Sequence, residues 1–365
     1  MKNASTFDPK WTSPPGATAV DLMRERGLPV EELAQGVKKD LRNISRLLSG
    51  VEPLTAEWAE SLSQVLGSTP RFWLMREKLY RADLKRLCDS TASHLTKDWL
   101  GTLPLHDMVR FGWIEEGSCS YETAINACAF FGTASPQAFE SKYRTILSGS
   151  AYRASTAFET RMSAVAAWLR QGEIEALAKD CNNWNDKKLR DSLDTIRSLT
   201  KEPDPSLFLP RLEQVLANCG VAMVIARAPD GCRASGATRF LRAEKALIQL
   251  SFRYLADDQF WFTVFHEIGH LLLHTHQELF LEGLDSRNAK AEIEADEFAL
   301  NTLFAKVDVM SLDEIGTSKF DIARLARKAG ISPGIVVGQL QKRGRIPYKH
   351  FNFMKARYSW GDREG

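Results

Sequence analysis

From residue 17 to about residue 87, apolar residues recur at helical spacing: Leu33 and Val37, then Leu41, Ile44, Leu47 and Leu48, then Trp58, Leu62, Val65 and Leu66. Glycines and capping residues cut this pattern into short helices. A segment over 19–26 ends at Gly27, one over 30–37 follows, one over 40–49 stops at Gly50, and one over 55–66 stops at Gly67. Thr69-Pro70 then opens a longer helix to Leu87, with Thr as N-cap and Pro at the first helical position. The pattern predicts a five-helix unit over 17–90, behind a flexible lead-in over 1–16. Residues 91–202 also read as helix, with segments near 105–112, 122–131, 136–147, 155–177 and 186–199. Pro203, Pro205 and Pro210 mark a boundary, and beyond it the period changes. Short stretches at 221–227, 238–242 and 246–253, rich in Val, Ile, Leu and Phe, predict a small antiparallel sheet. Asp257-Asp258 caps a strongly apolar helix to about His274, a second helix spans about 290–304, and the tail returns to helix from Phe320. The expected fold is helix-rich α+β in three parts, divided at 17–90, 91–202 and 203–365.

Composition adds mainly exclusions. With 365 residues, the chain is too long for one core. The hydrophobic fraction of 44% and charged fraction of 26% are ordinary for a globular chain. Lys plus Arg (48) nearly balances Asp plus Glu (46), so bulk charge points to neither nucleic acid nor a membrane surface. No apolar stretch approaches the roughly 20 residues of a spanning helix. The N-terminus stays polar up to Pro14-Pro15-Gly16, unlike a signal peptide. Cys88, Cys119, Cys128, Cys181, Cys219 and Cys232 lie far apart with no Cys-x-x-Cys pair, which fits a reducing cytosol and argues against a thiolate zinc site. A cytoplasmic, multidomain protein is expected.

Histidine carries the chemistry. Four of the seven histidines, His266, His270, His274 and His276, fall within eleven residues. His266-Glu267-Ile268-Gly269-His270 is a HExxH string, which sets two imidazoles one helical turn apart on one face, within reach of a single ion. Glu267 sits beside that face, placed to take a proton from water. Zinc suits two neutral imidazoles and a carboxylate, with its fourth position left open. The third ligand is expected from the following helix, in Glu292-Ile-Glu294-Ala295-Asp296. Glu292 and Asp296 share a face, so Glu292 can ligate while Asp296 holds the far nitrogen of a histidine. Glu294 is the alternative ligand. His274 continues the histidine face and His276 follows the helix end; both read as supporting or surface groups rather than ligands. Without such partners, two histidines and a glutamate in a buried helix would cost several kcal/mol.

The run from Phe260 through His274, followed by Glu292-x-Glu294-Ala295-Asp296-x-Phe298-Ala299, resembles the ImmA/IrrE family of bacterial metallopeptidases. The preceding stretch 245–253 is similar to that family's lead-in to the zinc helix, and the resemblance spans roughly 205–350. It implies a gluzincin-like zinc peptidase domain, Zn²⁺ held by His266, His270 and Glu292, and Glu267 as general base. It also implies a cytosolic protease that cuts a repressor or antitoxin after a stress or phage signal.

At the other end, residues 30–50 read as helix, short turn, helix. The second helix is expected to carry Arg42, Asn43, Ser45 and Arg46 on its open face, types that meet base edges and phosphates, while Lys38 and Lys39 hold the backbone. Residues 15–87, with Phe72-Trp73-Leu74 and Tyr80, resemble the HigA-type antitoxin branch of the helix-turn-helix repressors, which implies a double-stranded DNA operator and allows a homodimer. Lys38 stands where that family has its turn glycine, so a left-handed Lys or a shifted register is expected. The competing reading is a helical docking domain, since residues 1–95 hold 14 Lys/Arg against 12 Asp/Glu, a weak footprint for DNA. The tail 317–365 carries 11 Lys/Arg against 3 Asp/Glu and is read as a face balancing the acidic stretch 278–314. Trp11, Trp99, Trp113, Trp168 and Trp184 are read as core or interface. The expected activity is zinc-dependent proteolysis in transcriptional regulation. The rivals are a regulator whose peptidase fold only senses, and an autoproteolytic regulator cut near 88–104.

Overall fold

A computed structural model of the protein describes residues 11–89, 93–147, 156–274, 279–281 and 289–360. The chain divides into two compact units, one of residues 1–180 with 228–232 and one of residues 181–227 with 233–365. The boundary thus falls at 180/181, where the pattern along the chain had suggested breaks near 90 and 202. Among the described residues, no helix is long and apolar enough to cross a membrane.

The first unit is helical: α1 (Pro15–Arg26), α2 (Val30–Val37), α3 (Leu41–Ser49), α4 (Ala56–Leu66), α5 (Pro70–Asp89), α6 (Ser93–Thr102), α7 (Leu105–Arg110), α8 (Ser120–Phe131), α9 (Pro136–Leu147) and α10 (Thr156–Ala176). Leu33, Ile44, Leu47, Leu62 and Trp73 form the buried centre of α1 to α5. Asp40 and Thr55 accept from backbone N–H groups three residues on, so each caps its helix as its side chain predicts. Lys38 closes α2 at φ 55°, the left-handed conformation that the missing turn glycine demands. Further along, Trp113 stacks on Phe130, and Trp99 and Trp168 are buried. Trp11, by contrast, is exposed. α6 has no counterpart in the hydrophobic pattern.

The second unit contains α11 (Asp186–Leu199), α12 (Pro205–Asn218), β1 (Val221–Ile225), β2 (Gly236–Arg242), β3 (Lys245–Leu250), α13 (Asp257–Leu273), β4 (Phe280–Leu281), α14 (Ala289–Leu303), α15 (Ser311–Glu314), α16 (Lys319–Ala329) and α17 (Pro333–Lys342). Two expectations are corrected. The prolines at 203–210 do not break the chain: Pro205 starts α12 at its first position and Pro210 lies inside it, where buried Phe208, Leu212 and Leu216 hold the helix despite the lost bond. The sheet is mixed rather than antiparallel, in the order β1-β3-β2-β4. β1 runs parallel to β3, with Val221 opposite Ala246, while β2 runs antiparallel to β3 and to β4. β1 and β3 are buried along nearly their whole length, the continuous apolar run of strands covered on both faces. The α+β class holds.

α13 is the central helix of this unit. Phe260, Trp261, Val264, Phe265 and Ile268 are buried in one core with strands β1 and β3 and helices α12, α14, α16 and α17. Its closest neighbour is α14. Gly269 makes that approach possible, because a Cβ there would lie 3.1 Å from the Phe298 ring and 3.3 Å from the Ala295 Cα. The two helices that carry the candidate ligands are therefore packed backbone to backbone.

Candidate metal centre

His266 and His270 leave α13 one turn apart, both almost wholly buried, and aim their Nε2 atoms at one point, 2.9 Å from each other. Glu292, from the first turn of α14, reaches the same point. Its Oε2 is 3.2 Å from His266 Nε2, and its Oε1 is 3.6 Å from His270 Nε2. The ligand atoms of these three residues lie within 4.8 Å of one another. Glu294 lies outside this group: its Oε2 is 3.1 Å from His274 Nε2.

The far nitrogens have neighbours of their own. His266 Nδ1 is 2.9 Å from Asp296 Oδ1. His270 Nδ1 is 3.0 Å from His274 Nδ1. If each Nδ1 carries its ring proton as a donor, both Nε2 atoms present lone pairs. Two lone pairs and a carboxylate facing one another repel unless a cation sits between them. The donor set therefore fits a divalent ion such as zinc, with three protein ligands and room for a fourth.

Burial raises the Glu292 carboxyl, but with the imidazoles donating to it, as they can when no cation stands between them, hydrogen bonds and charge from His266 and His270 bring it down to about 2. Burial, aided by the neighbouring imidazoles, lowers His270 against the pull of Glu292 and favours its neutral, ligating form. Burial also works on Asp296, yet His266 and Lys342 hold it below the usual carboxylate range. Lys342 Nζ lies 3.0 Å from Asp296 Oδ2 and over the Phe262 ring, a contact that no spacing in the sequence announces.

Glu267 is fully buried next to the ligands along α13. Its carboxylate lies against the first residue of β2, where a Cβ on Gly236 would come within 2.2 Å of Oε1. Beside His266 and Glu292 opens a cleft of about 760 Å³, bordered also by Gln259, Phe262, Tyr348 and Arg357. A cleft of this size falls in the range of small-ligand sites. In the basic tail, Arg343 pairs with Asp313 at 2.7 Å, and Arg345 donates to the carbonyls of Leu312, Asp313 and Ile315.

The residues expected to read DNA fare differently. Arg42 is exposed, with its guanidinium beside Gly112, and Asn43 is half-buried. Lys39 pairs with Glu57 at 2.9 Å. Ser45 is not on an open face: it is buried, and its hydroxyl donates to the Arg42 carbonyl. Nor is Arg46 open, for its guanidinium donates to the Gly112 and Trp113 carbonyls at 2.9 and 3.2 Å and pairs with Glu52. The reason is packing within the unit, where the turn after α7 accepts from Arg46 and α10 lies near α3. His276 lies outside the described residues, as does part of the 88–104 segment read as an autoproteolytic linker.

Neither the comparison with curated proteins nor that with solved structures gave a match. Residues 223–340, from β1 to α17, match the model of the IrrE N-terminal-like domain family (Peptidase_M78), and this stretch, with its His-His-Glu group, is therefore similar to a peptidase domain of the metal-dependent kind.

Proposed function

We propose that the second unit is a zinc-dependent endopeptidase that cuts a protein segment held in the cleft beside Glu292. One observation supports this reading: His266 Nε2, His270 Nε2 and a Glu292 carboxylate oxygen converge on one point, while both far nitrogens lie within hydrogen-bond distance of other groups. Zinc, when bound, polarises the scissile carbonyl and makes water more acidic. His266, His270 and Glu292 hold it. Glu267 takes one proton from the attacking water and hands it to the leaving nitrogen. The water oxygen bonds to the carbonyl carbon, the C–N bond breaks, and a peptide bond plus water becomes a carboxylate and an amine. Gly236 keeps space for the Glu267 carboxylate. By the ImmA/IrrE resemblance, the substrate is a repressor or antitoxin, and the setting is cytoplasmic gene regulation.

The test replaces Glu267 with Gln. The ligands are untouched, so the purified variant should keep about one zinc per chain by elemental analysis. Cleavage of the substrate protein, followed by mass spectrometry, should fall at least about a hundredfold. If Glu267→Gln cleaves or regulates as well as wild type, the peptidase reading is wrong and the fold serves as a sensor.

For the helical unit, the occupied side of α3 favours docking of a protein partner over reading of DNA, since Ser45 and Arg46 are already engaged within the unit.

A further inference from the structure

We infer that His274 and Glu294 form a two-link hydrogen-bond relay that fixes the tautomer and ring plane of His270 for metal binding, so that His274 is a positioning residue of the site. The inference rests on the metal-centre reading above. A metal on His270 Nε2 requires the ring proton on Nδ1, and that proton needs an acceptor, since a buried donor without one costs free energy. The atom 3.0 Å away is His274 Nδ1. It can accept only if His274 carries its own proton on Nε2, and that nitrogen lies 3.1 Å from Glu294 Oε2. The direction is thus fixed throughout: His270 Nδ1–H donates to His274 Nδ1, and His274 Nε2–H donates to Glu294.

The local backbone is built for this. α13 ends at Leu273, and His274 is extended at φ −115°, ψ 173°, with its N–H still bonded to the His270 carbonyl. A residue that left the helix entirely would lose the one-turn relation to His270. Phe280 of β4 stacks on the His270 ring with centroids 4.2 Å apart and also touches His274, which walls the pair from one side. Three carboxylates on α14, each two residues from the next, then take three different places around the histidines. Glu292 meets the ligating pole, Asp296 takes His266 Nδ1 directly, and Glu294 takes His270 Nδ1 through His274.

The experiment measures Zn²⁺ affinity of the full chain by competition with a chromophoric chelator. His274→Phe keeps a ring against Phe280 but has no acceptor. His274→Asn puts an amide oxygen near the position of Nδ1. Loss of an outer-shell partner of this kind costs about 10–100-fold in metal affinity. His274→Phe should show that loss with an unchanged melting temperature in the metal-free protein, while His274→Asn stays within about threefold of wild type. Equal affinity in His274→Phe and wild type would overturn the relay, as would an equal loss in both variants. His266→Ala separates this failure from that of the metal centre: if His266→Ala also binds zinc normally, the centre itself is wrong. Ring-nitrogen NMR of the zinc-loaded wild type gives a second readout. The proton of His274 should be on Nε2, and a proton on Nδ1 would sink the relay without any variant.

Discussion

Asp257 and Asp258 open α13 side by side, and only one of them has a lysine. Asp258 pairs with Lys355 at 2.6 Å, both side chains buried. Asp257 is equally buried but has only the Ser332 hydroxyl and backbone donors. Burial, with the adjacent Asp258 charge, raises its carboxyl to about 6 against the pull of those hydrogen bonds. A carboxyl raised in the folded state binds its proton more tightly there than in the unfolded chain. Its favourable contribution is therefore complete below about pH 4 and is lost as pH rises through about 6. Asp257→Asn, neutral at every pH, should melt close to wild type at pH 4 and several degrees higher at pH 7.5, with about 3 kcal/mol as the upper bound. A gain of the same size at both pH values would show that charge is not its cause. At this scale the clustering was legible: HExxH and the Glu292/Asp296 spacing anticipated that His266, His270, Glu292 and Asp296 come together, because a helix turns spacing into direction. Lys342 was not legible, since it stands 46 positions from Asp296 and no period links the two.

At the scale of elements, the place of the Glu267 carboxylate depends on how a strand end meets a helix. Gly236 opens β2 directly against Glu267, and the space a side chain would need there is taken by the carboxylate and by the Thr263 methyl, 2.8 Å away. Gly236→Ala should therefore displace Glu267 while leaving His266, His270 and Glu292 in place. Zinc content should be retained and turnover of a peptide substrate should fall by roughly tenfold or more, since a shift of about 1 Å in a reacting group can cost a hundredfold. Unchanged kcat would mean that the carboxylate has another resting place. The limits of pattern reading also appear here. Alternation and β-formers located β1, β2 and β3 but could not order them, because a buried strand reads the same beside a parallel or an antiparallel neighbour. β4, two residues long, is too short to carry a period. α12 was hidden by its own prolines, one of which starts the helix while the other is tolerated by a well-packed face.

At the scale of the whole chain, the question is what a helical unit contributes to a peptidase-like one. The turn between α2 and α3 has Lys38 left-handed and Asp40 capping α3, the helix-turn-helix form that the sequence pattern suggested. The pattern along the chain showed that form but not what lies beside it, because the neighbouring elements, the turn after α7 and α10, come from 60 or more residues downstream. A reading helix needs several open side chains to meet base edges. Here Arg46 spends its guanidinium on the Gly112 and Trp113 carbonyls, Ser45 is buried, and Lys39 is paired with Glu57. Only Arg42 and Asn43 keep some freedom, and a bidentate Arg contact to guanine contributes about 1–3 kcal/mol of discrimination. If the unit docks protein rather than DNA, Arg42→Ala/Asn43→Ala should leave gel shifts with upstream DNA unchanged within about twofold, well below that range. Any residual shift in wild type should fall steeply with salt and ignore sequence, as contacts to phosphates alone do. A tenfold loss of sequence-specific binding in the double variant would instead mean that α3 leaves these contacts and reads an operator.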